Sequence, residues 1–374
     1  MKSRLPSLHA FSVGLLFIPV SLVGGQDMAF PGTHPSCEQC VIEVRTLARI
    51  GDRHGPGSLE TVPWGVVRDS RGRYVVSIAE GLGDRLYVFD SNGRLIKRFG
   101  AHGEGPGELS TGRVMAITPG DTLHVFDEDH GRHSVFDPDY RFIRSSPSPR
   151  EISGVIFRPD GSYMVSAVVN DPNRIGLLYH HFHVNGNYLR SFGDSGTLIS
   201  RKSITQHVRR IAPSAGGGFW SAPFTHKYRL EFWSWRYGLT RVIEPTVDWY
   251  HPYEKVLAPT PHRAPLPSMW GLWEDRTGLV WTTSSVGATN YATGLGPPQQ
   301  MEGQQVYLIT DQHAVWDGML EVFSPADGQL VARLQTRDPF QYVLGPGLLA
   351  GIRWDEDGTA FLEIASVVLR RPPQ

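Results

Sequence analysis

The sequence has few cysteines, almost no net charge and no long apolar run, and each absence excludes a class of protein. Two cysteines in 374 residues are too few for a disulfide-rich scaffold. The formal net charge of −1 argues against nucleic acid or an anionic membrane as the main partner. No stretch reaches the roughly 18 consecutive apolar residues of a transmembrane helix. We therefore expect a soluble protein without a transmembrane segment.

Helical periodicity is also missing. No window repeats apolar residues at helical spacing between capping residues. The sequence is instead rich in turn-forming and aromatic residues, with 41 Gly, 28 Pro, 10 Trp, 13 Tyr and 17 Phe. This composition favours many short strands joined by tight turns, so the expected fold class is all-β.

The N-terminus has the pattern of a secretory signal peptide over residues 1–25. Met1-Lys2-Ser3-Arg4 is basic, Ala10–Leu22 is apolar, and Val23-Gly24-Gly25 supplies small residues for cleavage. The apolar run is too short to span a bilayer. The sequence therefore predicts export to the periplasm or the extracellular medium.

Residues 26–40 are expected to form a linker that contains both cysteines, Cys37 and Cys40. In an oxidising compartment this pair predicts a local disulfide. A thioredoxin-like redox centre would need a βαβ context, which the sequence lacks. Covalent haem attachment would need a histidine directly after Cys40, and the next residue is Val41.

The region from Asp69 to Leu109 gives the plainest view of a repeated unit. Asn92-Gly93 separates two apolar runs, Asp84–Asp90 and Arg94–Phe99. An Asn-Gly pair in this position is a strong hairpin signal, because a type I′ turn needs positive φ at both central residues.

Two kinds of turn recur along the chain, and the first kind contains glycine in every copy. The first kind, between the first and second strands of a unit, has six copies, at 69–72, 119–120, 159–161, 216–218, 275–278 and 357–358. The second kind, before the outermost strand, has five, at 92–93, 138–139, 185–186, 237–238 and 327–328. The last unit therefore lacks one strand, and Val41–Ile50 can supply it. This pattern predicts one six-bladed β-propeller over residues 41–374, closed by the N-terminal strand. A β-sandwich would not explain six equivalent turns.

The second unit carries a family resemblance. Gly103–Leu109, Asp121–Asp127, His130-Gly131-Arg132 and Val135-Phe136-Asp137 resemble one NHL-type propeller repeat. The chain resembles the bacterial exported six-bladed β-propellers related to NHL repeats, well over residues 49–145 and at turn level over 146–374. Phe126 and His130 depart from the repeat pattern. The resemblance implies the fold and leaves the activity open.

Long connections predict which face of the ring is functional. In a propeller, loops from strand 4 to strand 1 and from strand 2 to strand 3 emerge on one face, which we call the elaborated face. Here these segments are long, at residues 51–63, 100–112, 194–206, 245–268 and 286–316. Long insertions on a rigid scaffold often carry binding sites, although they can also simply cover the channel.

Residues at the starts of the first strands are expected at the mouth of the central channel. The candidates are Trp64, Arg113, Ser153, His207, Arg209, Trp270 and Arg353. Indole rings and cationic groups would suit an anionic or carbohydrate ligand. In the alternative interpretation, the arginines pair with aspartates such as Asp69 and Asp275, and the tryptophans pack between blades.

A metal site is a further possibility that the sequence leaves open. Calcium takes oxygen ligands, for which Glu80, Asp127, Asn170, Asp171 and Asn290 lie near the ends of second strands. A zinc site would use imidazoles, for which His207 and His226 are best placed by position. None of these residues forms a recognisable ligand motif.

Two functions from different classes follow. The favoured one is a non-catalytic scaffold without a cofactor that binds a protein, peptide or glycan through the elaborated face. The alternative is a calcium- or zinc-dependent hydrolase, lactonase or lyase with its site at the channel mouth.

Overall fold

The computed structural model describes residues 26–30, 34–59, 61–80, 83–169, 171, 173–194, 208–253, 257–301 and 304–372. The predicted signal peptide lies outside these ranges. Among the described residues, no helix has the length and hydropathy needed to cross a membrane.

Six four-stranded antiparallel blades form the ring, each numbered from its innermost strand outward. Two strands precede the first blade, β1 (Gln26–Phe30) and β2 (Val41–Ile50). Blade 1 contains β3 (Gly65–Arg68), β4 (Tyr74–Glu80), β5 (Gly83–Phe89) and β6 (Leu95–Phe99). Blade 2 contains β7 (Val114–Thr118), β8 (Thr122–Asp127), β9 (Arg132–Phe136) and β10 (Phe142–Pro147). Blade 3 contains β11 (Ile152–Phe157), β12 (Tyr163–Ala167), β13 (Leu177–Phe182) and β14 (Tyr188–Asp194).

The second half of the ring follows the same order. Blade 4 contains β15 (Arg209–Ser214), β16 (Gly218–Pro223), β17 (Leu230–Ser234) and β18 (Leu239–Pro245). Blade 5 contains β19 (Ser268–Glu274), β20 (Val280–Gly287), β23 (Trp316–Phe323) and β24 (Leu330–Thr336), with an additional hairpin, β21 (Leu295–Met301) and β22 (Gln304–Ile309), inserted between β20 and β23. Blade 6 contains β25 (Tyr342–Gly345), β26 (Leu348–Trp354), β27 (Ala360–Arg370) and, as its outer strand, β2.

The ring closes through β2, as the sequence predicts. β2 pairs antiparallel with β27, from Val41 opposite Arg370 to Ile50 opposite Leu362. Ile50 is fully buried and packs with residues of blades 6 and 1, among them Leu362 and Val76. The six-bladed all-β propeller and its closure by an N-terminal strand are therefore confirmed.

One register prediction within blade 6 is wrong. Asp357-Gly358 joins β26 to β27, whereas Pro346-Gly347 joins the first strand to the second. The sequence places 357–358 between the first and second strands, but the strand that follows this turn, Ala360–Arg370, is one continuous strand and the third of blade 6. Blade 6 still lacks one strand of its own, so the closure holds although its strands are shifted along the sequence.

The segment before β2 follows the outside of the ring. β1 pairs in parallel with β18 of blade 4. The amides of Ser36 and Cys37 then donate to the carbonyls of Leu330 and Val331 in β24, at 2.8 and 3.3 Å. Cys37 and Cys40 are joined by a disulfide. The segment predicted as a linker thus covers part of the outer edges of blades 4 and 5.

A buried histidine pair lies between blades 2 and 3. His124 Nδ1 is 2.9 Å from His133 Nε2, and the His133 ring stacks on Phe126 at a centroid distance of 4.3 Å. Burial, together with the positive Arg144, lowers the pKa of His124 to about 4. Burial, His124 and Arg144 lower the pKa of His133 to about 3. Both imidazoles are therefore neutral in the folded protein near neutral pH.

Replacing Ile50 by Ala should destabilise the ring closure by about 3 kcal/mol, because the lost methyl groups leave a cavity between blades 6 and 1. Leu47→Ala on the same strand is the matched control, since Leu47 is 49% exposed and should change stability by less than about 0.5 kcal/mol. Urea unfolding of both variants measures the difference. Equal effects of the two substitutions would contradict the closure described above.

Stability should fall as the pH drops below about 6.5. The unfolded histidines then take up protons, whereas folded His124 and His133 do so only near pH 4 and 3. Each of these two histidines therefore lowers the free energy of unfolding by roughly 1.4 kcal/mol per pH unit, from about pH 6.5 down to its pKa in the folded protein. Urea unfolding between pH 7.5 and 4.5 should show a shallower pH dependence in the H124L/H133F variant. The exposed His54→Gln variant should keep the wild-type dependence, and an unchanged slope in H124L/H133F would contradict this account.

Candidate functional site

The first strands of the six blades surround the central channel and begin at the elaborated face. At this end they enclose a cavity of about 370 Å³, which we call the upper chamber. Its polar and aromatic lining comes from every blade, and consists of Trp64, Arg113, Ser153, Arg210, Trp270, Gln341 and Tyr342. The volume lies within the range of about 300–1,000 Å³ that is typical of small-molecule pockets.

An apolar ring forms the floor of the upper chamber. Each innermost strand contributes one side chain to this apolar girdle, which consists of Val67, Met115, Val155, Ile211, Leu272 and Val343. The same six residues also line a second cavity of about 290 Å³ below. The girdle therefore lies between the upper chamber and the lower part of the channel.

Glycines allow the innermost strands to approach one another at this level. The residues after Trp64, Ser153 and Trp270 are Gly65, Gly154 and Gly271, in blades 1, 3 and 5. A Cβ at Gly154 would lie 3.0 Å from Ile211 of the next blade. At Gly65 and Gly271, an added Cβ would collide with Arg113 and Val343 of the next blade. The innermost strands of these neighbouring blades are therefore closely packed in the wall of the upper chamber, which all three glycines line.

Arg210 is the cation deepest in the upper chamber. Its guanidinium lies 4.6 Å from the Phe224 ring and 5.8 Å from the Trp270 ring. It donates from Nη1 to the carbonyl of Ser153 at 3.3 Å and from Nε to the carbonyl of Met269 at 3.5 Å. Burial lowers the pKa of Arg210 to about 10, so the side chain remains charged at neutral pH.

Arg113 is the second cation, and it lies at the rim. Its guanidinium stacks over the Trp64 ring at 4.2 Å, and both side chains are exposed. Glu128 is near enough for the positive Arg113 to oppose the rise in the pKa of Glu128 that burial causes. Among the described residues, however, neither Arg113 nor Arg210 forms a salt bridge. The upper chamber thus offers positive charge beside aromatic rings.

The structure brings together only some of the predicted mouth residues. Trp64, Arg113 and Trp270 line the upper chamber with Ser153. Arg209 does not, because its side chain is buried and its Nη1 is 3.8 Å from Glu231 Oε1. His207 lies outside the described residues.

Arg353 was predicted to begin a first strand, and this is wrong. It lies near the end of β26, the second strand of blade 6. Its Nε is 2.8 Å from Glu363 Oε2, and its Nη1 donates to the Pro339 carbonyl at 3.0 Å. The shifted register of blade 6 explains the difference, since the first strand begins at Tyr342.

The candidate metal ligands are dispersed. Asp127 is buried and accepts hydrogen bonds from Ser110 N and His130 Nδ1, at 3.0 and 2.8 Å. Burial raises the pKa of Asp127, but these hydrogen bonds outweigh it and lower the pKa overall. His226 lies in the loop between β16 and β17 with φ of 66°. Asn170 and the side chain of Glu80 are outside the described part of the chain. Within that part, no three His, Cys, Asp or Glu side chains are grouped to hold a metal ion.

The insertion in blade 5 forms a raised ridge on the elaborated face. It contains a 3-10 turn (Tyr291–Gly294), the hairpin β21–β22 and the short helix α1 (Gln312–Val315). The Tyr291 hydroxyl donates to the Pro261 carbonyl at 3.2 Å, and His313 Nδ1 lies 2.5 Å from Asp338 Oδ1. These contacts fix the ridge to the proline-rich loop of blade 4 and to the connection into blade 6.

Sequence reasoning missed Arg210, Gln341 and Tyr342. Arg210 is adjacent to Arg209, and strand alternation allows only one of two neighbours to face a given side. Only the strand register decides whether Arg209 or Arg210 lines the upper chamber. Gln341 and Tyr342 were missed because the first strand of blade 6 was placed too late in the chain.

Comparisons with known proteins support the fold. No protein-family model matches the chain, and no curated protein matches it. A solved DUF4221-family structure from Bacteroides vulgatus has 10% identity and a TM-score of 0.56, over 88% of this chain and 99% of that one. A putative exported protein from Bacteroides fragilis has 9% identity and a TM-score of 0.55, over 91% and 99%. Virginiamycin B lyase from Staphylococcus aureus has 6% identity and a TM-score of 0.46, over 88% and 100%. The first two structures share the fold of this chain. The relationship to NHL repeats stays a prediction.

Arg353→Met should destabilise the protein by about 3 kcal/mol, because it leaves Glu363 and Asp338 beside an apolar side chain. Arg370→Met is the matched control, since Arg370 and Glu43 are 68% and 51% exposed in their ion pair. That loss should cost less than about 1 kcal/mol. Chemical denaturation distinguishes the two variants. A near-neutral effect of Arg353→Met would contradict the structural role of this ion pair.

Proposed function

We propose that this protein is an exported, non-catalytic propeller that binds a protein, peptide or glycan through its elaborated face, with the upper chamber at the centre of the site. The observation that carries the proposal is the lining of that chamber. Trp64, Trp270, Arg113 and Arg210 come from four different blades and combine stacking surfaces with positive charge.

Charge and aromatic surface in this arrangement favour binding over a purely structural role. A structural arginine usually has a carboxylate partner, as Arg209 has in Glu231 and Arg353 in Glu363. Arg113 and Arg210 have no such ion pair among the described residues. Tryptophan and arginine are also the residues that most often dominate binding energies.

Export is the second part of the proposal. It rests on the signal-peptide pattern of residues 1–25 and on the cysteine pair, which suits an oxidising compartment. One of the solved structures that share the fold is named a putative exported protein.

The metal-dependent alternative would need ligands that converge at the channel mouth. The described residues offer no group of three such side chains. The binding proposal therefore accounts for more of the observed lining of the channel mouth than the alternative does.

Arrays of peptides and glycans, incubated with the purified protein after removal of residues 1–25, test this function. The class of peptide or glycan that binds should lose about tenfold or more in affinity with Trp64→Ala or with Arg113→Ala. The first substitution removes a stacking contact at the rim, and the second removes a charged one. Arg236→Ala, an exposed change on the opposite face, is the control and should leave binding unchanged.

Two results would contradict the proposal. One is ligand binding that is indifferent to Trp64 and Arg113. The other is stoichiometric calcium or zinc by elemental analysis, together with a hydrolase or lyase activity that a chelator abolishes.

A further inference from the structure

Arg210 and the apolar girdle are adjacent, and together they specify the ligand more closely. We propose that the upper chamber binds a carboxylate with an apolar group beside it, the chemistry found at the C-terminus of a peptide that ends in an apolar residue. This inference rests on the proposed function and names the ligand chemistry of the same site.

The hydrogen bonds of Arg210 favour an anionic ligand. A guanidinium has five N–H donors, and the described residues use Nε and Nη1 for the carbonyls of Met269 and Ser153. No carboxylate forms an ion pair with Arg210 in that part of the chain. Leaving the Arg210 charge partly removed from water without a neutralising partner is costly in free energy. A planar carboxylate matches the N–H donors that Arg210 has left.

Gln341 adds a second polar contact at the same level. Its Oε1 accepts a hydrogen bond from the amide of Ile352 at 2.9 Å, which fixes the orientation of the side-chain amide. Its NH₂ group forms no hydrogen bond with the described residues, although Gln341 lines the upper chamber. This group can therefore donate to an anionic ligand held by Arg210.

The floor of the upper chamber favours an apolar group beside the carboxylate. Ile211 directly follows Arg210 in β15 and belongs to the girdle. None of the six girdle side chains is a hydrogen-bond donor or a strong acceptor, so a sugar buried against them would leave hydroxyl groups unpaired. An aliphatic or aromatic side chain would gain from the same surface.

The size and shape of the upper chamber favour the end of a peptide ligand. The chamber measures about 370 Å³, and its floor is the apolar girdle that also lines the cavity below. Such a space suits one or two terminal residues better than an extended polymer. The rim residues Trp64 and Arg113 would then contact the residues that precede the terminus.

Titration calorimetry with two matched peptides tests the inference. The probes are N-acetyl-Gly-Gly-Phe with a free carboxylate and the same peptide with a C-terminal amide. The carboxylate form should bind at least about tenfold more tightly, the size expected when charged hydrogen bonds are lost. Arg210→Met should abolish this preference, and Arg236→Met on the opposite face should preserve it.

Thermal melting establishes that each variant is folded. Should Arg210→Met fail to fold, Arg210→Lys serves instead, because it keeps the charge and loses the planar fork. That variant should retain a preference for the carboxylate, reduced at least threefold.

Four outcomes would overturn the inference. Equal affinity for the two peptides would exclude carboxylate recognition, as would a preference that survives Arg210→Met. Tight binding of trigalacturonate that depends on Arg113 and Trp64, without peptide binding, would overturn the peptide ligand and leave the proposed function intact. Failure of both peptides and of every array ligand would overturn the inference and the proposed function together.

Discussion

The pairing of β2 with β27 is the contact on which the rest of this molecule depends. The four strands of each of the five blades before it follow one another in the chain, apart from the hairpin inserted in blade 5. Blade 6 is complete only when a strand from the start of the chain joins its end. This closure removes two exposed sheet edges and places Ile50 in the core between blades 6 and 1. It also fixes the first strand of blade 6 beside that of blade 1, where the Tyr342 hydroxyl donates to the Pro63 carbonyl.

A closed ring turns six separate strand starts into one site. Trp64 and Arg113 meet at the rim because blades 1 and 2 are neighbours. The Arg113 guanidinium lies 4.2 Å from the centroid of the Trp64 ring. Arg210 contacts blades 3 and 5 through the carbonyls of Ser153 and Met269. No single blade contains this site, so the proposed ligand-binding surface depends on global closure. Function in such a molecule is set by the residues that the fold carries at one end of its channel.

The sequence sufficed for the architecture because turns and strand counts are local signals. Glycine-containing turns such as Asn92-Gly93 mark strand boundaries through the backbone angles they permit. Side-chain direction is a finer property, since a shift of one residue reverses which face a side chain occupies. The prediction therefore chose Arg209 where Arg210 lines the chamber. At Arg353 it took the turn between β26 and β27 for the turn after a first strand, which no local pattern could correct.

The most direct measurement is a crystal structure of the protein grown with N-acetyl-Gly-Gly-Phe. The account predicts electron density for the peptide in the upper chamber, with its carboxylate about 3 Å from the Arg210 guanidinium and its phenyl ring on the girdle. Density for the peptide on another surface, with Arg210 contacting only protein and solvent, would contradict the account.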